Sequence, residues 1–184
     1  MRSVPRRGRL SKHPAFTLVE VIASIVIVAV LAVTSASLLG NVTSGYTAAA
    51  TRAELINDGS AALERLVTSI RDIPLRASVT PAEPSIATIT TDSITWDGNQ
   101  GFALSGTNLQ LTVTGVTTTL LGNVSNFQVR AFDQNSAAMA VSLSGNACDP
   151  VRRIELTFTL SRNGVSETLR TRVFLRCMMN GASA

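Results

Sequence analysis

The sequence is short of the residues on which most enzyme chemistry depends. Of its 184 residues one is histidine, His13, and one is lysine, Lys12. Beyond position 13, therefore, nothing supplies the imidazole or amine that Ser-His-Asp, Cys-His or Ser-Lys machinery requires. Two cysteines, Cys148 and Cys177, are too few for typical zinc ligation without histidine. Charge is missing from a long stretch as well: from Phe16 to Leu39 the only charged residue is Glu20, and there is no glycine or proline. Proline is absent from Ala15 to Ile73. Tryptophan occurs once, as Trp96, and is read as a core or hairpin residue. These gaps argue against an enzyme and for a helix that nothing interrupts.

What fills the charge-free stretch is Val, Ile, Leu and Ala. As a helix, Phe16 to Leu39 reaches roughly 36 Å at 1.5 Å per residue, enough for a hydrocarbon core of about 30 Å. A lone strand would leave its backbone groups unpaired in lipid, so the β-branched content does not argue against a helix. A secretory signal peptide would have an apolar region of only about 7–15 residues, although Ser35-Ala36-Ser37 imitates a cleavage site. Arg2, Arg6, Arg7, Arg9 and Lys12 precede the run and no basic residue comes after it until Arg52, which places the N-terminus in the cytoplasm and the remainder outside. The formal charge of +4 belongs to that leader, for the rest holds 11 arginines against 12 acids. Nucleic acid is accordingly not an expected partner. Glu20 is the anomaly, since a carboxylate at mid-membrane costs about 2.5–3.5 kcal/mol on insertion scales.

Ala15-Phe16-Thr17-Leu18-Val19-Glu20 followed by an apolar helix resembles the processing site of type IV prepilins and type II secretion pseudopilins. The resemblance implies a cut between Ala15 and Phe16 by prepilin peptidase and N-methylation of Phe16. It also implies an assembly role for Glu20, pairing with a neighbour's amine. Ala15 stands where the family usually has glycine. No proline interrupts the helix partway, as one often does in major pilins. Thr119 to Phe127 and the closing hairpin look like J-type subunits of type II secretion. Some pseudopilins bind calcium in C-terminal loops, and Asp97, Asn99, Asp133, Asn135 and Asp149 are the oxygen donors to consider. Turn chemistry accounts for each of them and no EF-hand spacing is present, so no cofactor or metal is expected.

Taken in order, residues 1–15 are a cleaved basic leader, 16–39 a transmembrane helix and 40–73 an amphipathic extension of it. Leu55, Ile56, Ala62, Leu63, Leu66, Val67 and Ile70 recur at helical spacing and should pack on the β-rich domain. Asn57-Asp58-Gly59-Ser60 is a turn signal within that helix, and a continuous helix is preferred. Pro74, Pro81 and Pro84 make 74–84 a linker. Residues 85–184 read as a β-rich periplasmic domain, with strands at Ile86–Thr90, Ser93–Trp96, Gly101–Leu104, Leu109–Thr114, Thr117–Leu121, Asn126–Asp133, Met139–Leu143, Ile154–Ser161 and Glu167–Leu175. Arg162-Asn163-Gly164 is the clearest hairpin signal. Arg152-Arg153 reads as a solvated strand start. In an oxidising compartment Cys148 and Cys177 should form a disulfide, worth roughly 3–4 kcal/mol in the chain-entropy model.

The expected fold is α+β and pilin-like: a long N-terminal helix packed on a mostly antiparallel sheet. The expected function is that of a minor pilin or pseudopilin, with a tip or initiation role in a type II secretion pseudopilus or type IV pilus. Its partners would be prepilin peptidase, other subunits and the inner membrane. The alternative is an uncleaved, membrane-anchored β-domain that captures a ligand or partner.

Overall fold

The computed structural model describes residues 17–76 and 83–178. Ala15, Phe16 and Pro81 lie outside the described residues. The chain divides into two compact units, Met1–Tyr46 and Thr47–Ala184. One α-helix, α1 (Leu18–Arg71), supplies all the described helix of the first unit and the opening of the second.

In the first unit every described residue is exposed, the apolar ones included; Ile25, Val28 and Leu31 are each more than half accessible. No face of this stretch is set apart as polar, so the apolar side chains have no protein to bury against. Hydroxyls in it are satisfied locally. Ser24 donates to the Glu20 carbonyl at 2.8 Å, Thr34 to the carbonyls of Val30 and Leu31, and Thr43 to that of Leu39 at 2.8 Å. Such back-bonding is how a hydroxyl is accommodated where water is absent.

In the second unit the same helix is one-sided. Leu55, Gly59, Ala62, Leu66 and Ile70 are buried at spacings of three and four residues. Gly59 is the tightest point, because a Cβ there would stand 2.9 Å from Leu169 Cδ1 and 3.1 Å from Leu160 Cδ1. Glycine lets the helix come close to the sheet, which explains why Asn57-Asp58-Gly59-Ser60 continues the helix instead of turning. Of the expected stripe, Ile56 is the exception and is 44% exposed.

Among the described residues the unit holds nine strands: β1 (Ile86–Ile89), β2 (Ser93–Trp96), β3 (Gln100–Ser105), β4 (Asn108–Val113), β5 (Val116–Leu121), β6 (Val124–Phe132), β7 (Leu143–Ser144), β8 (Arg153–Arg162) and β9 (Val165–Phe174). All pair antiparallel, as expected, and they form two sheets. The larger has the order β5-β4-β3-β2-β1-β7 and the smaller β6-β8-β9. The break falls at Gly122-Asn123, where Asn123 takes φ +59 between β5 and β6. The sheets are tied by backbone bonds from Val129 N–H to the Thr91 carbonyl (2.7 Å) and from Val124 N–H to the Thr107 carbonyl (2.9 Å).

The strand expected at Met139–Leu143 is mostly loop. Only Leu143–Ser144 pairs, with β1, while Met139 N–H reaches the Ala131 carbonyl as a single bond at 2.9 Å. Beside the linker prolines, Arg76 N–H bonds the Glu83 carbonyl and Ser85 N–H the Pro74 carbonyl, both at 2.8 Å, so the described linker ends are held together. The Asn163-Gly164 turn forms as expected, both residues having positive φ, and Ile154, Leu156, Phe158 and Leu160 of β8 point inward, fully buried. Phe102 joins the two sheets within the core, edge-on to Trp96 at 5.8 Å and to Phe127 at 6.0 Å.

Candidate functional site

The residues that set this chain apart lie at the start of α1. Thr17 is its N-cap and Glu20 its third residue. Thr17 donates to Glu20 Oε2 twice, from its backbone N–H and from its hydroxyl, both at 3.1 Å. In return the Glu20 N–H donates to Thr17 Oγ1 at 3.3 Å. This is a capping box, in which two otherwise unpaired helix-end donors find acceptors in each other's side chains. The T-x-x-E spacing that announces it is present in the sequence, overshadowed there by the cost of a carboxylate in lipid. The carboxylate is thus fixed at the positive end of the helix dipole, the favourable end for an anion. Glu20 is exposed, and the helix that begins here is long and apolar enough to cross a membrane.

The other residues singled out from the sequence belong to the second unit. Cys148 closes a short 3-10 turn (Gly145–Cys148) and Cys177 sits in another (Arg176–Met178). Both pack on the core of the second unit. Cys148 is buried and Cys177 half-buried. Burial, reinforced by the Asp149 charge and opposed by Arg76, pushes the Cys148 thiol up from its ordinary value.

The oxygen donors considered for calcium serve turns and ion pairs. Asp133 Oδ1 accepts from the N–H groups of Asn135 (2.9 Å) and Ala137 (2.8 Å), Asp97 and Asn99 take positive φ in the β2–β3 turn, and Asp149 faces Arg76 at 3.4 Å. Among the described residues no group of three or more His, Cys, Asp or Glu side chains converges.

One buried charge went unseen in the sequence. Glu155, 3% exposed on the middle strand β8, places Oε2 within 2.6 Å of Arg170 and 2.7 Å of Arg172. Burial alone would raise its carboxyl; hydrogen bonds from both guanidiniums outweigh that and hold it below its ordinary value. Arg172 also stacks on Phe132 and Arg153 on Phe174, at 4.3 and 4.5 Å. Arg153 is thereby held against Phe174 and is not merely a solvated strand start.

Residues 10–36 match the family model described as the prokaryotic N-terminal methylation motif. No curated relative matches the chain.

Proposed function

Since the chain carries the N-terminal methylation motif of the type IV pilin and pseudopilin family, whose members prepilin peptidase processes, we propose that it is a minor subunit of such a filament. The observation that carries this reading is the capped Glu20 at the head of an unbroken apolar helix, inside the matched segment. Cleavage between Ala15 and Phe16 on the cytoplasmic face would leave a methylated amine at Phe16, one helical turn from Glu20. The apolar stretch then holds the subunit in the inner membrane with its β-rich unit in the periplasm. During assembly Glu20 meets the amine of a neighbouring subunit. Thr17 keeps the carboxylate in one rotamer through Oε2, and Oε1 is the oxygen offered to that amine. An ion pair in lipid is poorly screened, so it counts for more than its surface equivalent.

Two measurements test this. Intact mass of the membrane-extracted protein should show loss of residues 1–15 and one added methyl group. A full-length mass would instead mark an uncleaved anchor bearing a β-rich unit. Glu20→Val should be processed and inserted, since it removes a charge from lipid, yet fail to co-purify with filament subunits. Recovery equal to wild type would remove Glu20 from assembly.

The Cys148–Cys177 disulfide belongs to the same reading, because export delivers the domain to an oxidising compartment. The exported protein should then show no alkylatable thiol before reduction, and Cys148→Ser should lower its melting temperature. Two reactive thiols in the unreduced native protein would exclude the bridge.

A further inference from the structure

The smaller sheet ends at β6, and the outer edge of that strand is only partly covered. Val129 donates its N–H to the Thr91 carbonyl at 2.7 Å, and the Ala131 carbonyl accepts from the Met139 N–H at 2.9 Å. Both residues therefore turn their backbone groups away from β8, as alternate residues of an antiparallel strand do. Between those two bonds lie the Val129 C=O and the Ala131 N–H, which have no partner among the described residues. Val129 is 2% and Ala131 3% exposed. An acceptor and a donor left unmet by protein on buried residues call for an explanation.

The two groups open into a cleft of about 320 Å³. One wall is the apolar loop Ala138-Met139-Ala140-Val141, in which Val141 is 66% exposed. The other is β6, through Gln128, Arg130 and the backbone of Val129, whose side chain belongs to the core. Arg130 is the one charged residue of the lining; it is exposed and has no ion pair or hydrogen-bonded side chain among the described residues. The acids next along the chain are engaged in their own loops. Asp92 Oδ1 accepts from the Thr90 hydroxyl, and Asp133 Oδ1 from the N–H groups of Asn135 and Ala137.

Arg130 also borders the outer face of the smaller sheet. It is in register with Glu155, and Glu155 with Arg172; Arg153 and Arg170 continue the same face two residues away. Glu155 already bonds Arg170 and Arg172, so this face carries four guanidiniums to one carboxylate.

These groups select a ligand. A carboxylate or phosphate has no hydrogen to donate to the Val129 C=O, and an ammonium cannot accept from the Ala131 N–H. The N–H and C=O of one residue in an extended peptide, running parallel to β6 and opposite Arg130, serve both. Thr91 and Met139 hold the positions on either side, so the segment adds one residue to the edge and then leaves it. The side chain of that residue falls on the face of Arg130, where the excess of guanidinium favours an acid. Its neighbours meet the apolar loop.

We propose that this cleft binds an extended segment of another protein in which an acidic residue sits between apolar ones. Triplets of that kind in this chain, Val19-Glu20-Val21, Ala53-Glu54-Leu55 and Ile154-Glu155-Leu156, are already built into α1 and β8, so a second copy is not the occupant. Nothing in the arrangement depends on how the N-terminus is processed.

The probe is acetyl-Ala-Val-Asp-Val-Ala-amide, added to the full chain in detergent micelles, and the readout is hydrogen exchange of the Ala131 amide by NMR. Saturating peptide should slow that exchange at least tenfold and leave the Arg130 amide, which alternation turns toward β8, unchanged. Three changes should each weaken binding about tenfold: lysine for the aspartate of the peptide, N-methylation of the aspartate nitrogen, and Arg130→Gln. Ala140→Trp, at an exposed position, should fill the cleft and abolish the protection. The two altered peptides leave the protein untouched, so they decide the matter even if a protein variant folds poorly. The proposal falls if Ala131 is not protected, or if the lysine or N-methyl peptide binds as tightly as the parent. It falls equally if Arg130→Gln leaves the affinity unchanged, or if inorganic phosphate alone protects Ala131, which would make the cleft an anion site.

Discussion

Two stretches of α1 share a backbone conformation and almost nothing else. From Leu18 to Tyr46 apolar side chains point in every direction and all are exposed. From Thr47 to Arg71 the buried ones form one stripe, and Leu55, Ala62, Leu66 and Ile70 are at most 3% exposed, with Ile56 outside it. Periodicity is the signature of a helix with protein on one side and water on the other. Its loss, at high hydropathy, is the signature of a helix whose whole circumference meets an apolar solvent. The difference teaches that the helix is not one functional object. One stretch is apolar all round and long enough to cross a membrane, and the other answers to the fold of the β-rich unit.

The sharpest way to break this comparison is to make one substitution in both stretches. Leu66→Ala removes a fully buried side chain and should cost the second unit about 3 kcal/mol, read from its denaturant or thermal midpoint. Leu31→Ala, at a side chain 58% exposed, should leave that midpoint unchanged to within about 0.5 kcal/mol. Equal losses would mean that the two stretches do not answer to different surroundings.

A smaller effect contrasts the two glutamates. Glu155→Gln keeps the shape but removes the charge that Arg170 and Arg172 bond, and should cost about 2 kcal/mol near neutral pH. The sign with pH is set by the lowered carboxyl. The stabilisation is complete above the unfolded carboxylate value of about 4.3 and is lost as pH falls through the lower folded value. Wild type and Glu155→Gln should therefore converge in stability on acidification. A gap that stays constant down to strongly acid pH would assign the loss to packing. Glu20→Gln, in the other unit, should not move this midpoint at all.

The smallest expected effect concerns glycine. Gly45→Ala meets nothing within 4 Å and should stabilise its part of the helix by the full propensity difference, about 1 kcal/mol. Gly59→Ala gains the same propensity but must displace the Leu169 side chain, so its net effect should be nearer zero. Hydrogen exchange of the surrounding amides reads both. Equal protection would show that close packing at Gly59 carries no cost.

Much of this was legible in the residues because it is local. The apolar run, the stripe from Leu55 to Ile70, the Asn163-Gly164 turn and the Phe16–Glu20 motif each depend on neighbours a few positions away. The capping box of Thr17 and Glu20 was equally local, written in its spacing, and was obscured only because the charge of Glu20 already demanded an explanation. Other features depend on which distant segments meet. Met139–Leu143 alternates like a strand, yet β6 takes only a single backbone bond from Met139 and β1 pairs with Leu143 alone. Gly59 lies in a turn signal within a helix read as continuous, and only Leu160 and Leu169 supply the reason for its having no side chain. Glu155 reads as a surface residue in an alternating strand; only the cross-strand placement of Arg172, with Arg170 beside it, buries it with compensation. The edge position of β5 is of the same kind. Its missing charge is plain in the sequence, but whether a strand is an edge is decided by the order in which strands assemble, and pairing across a sheet is non-local by construction.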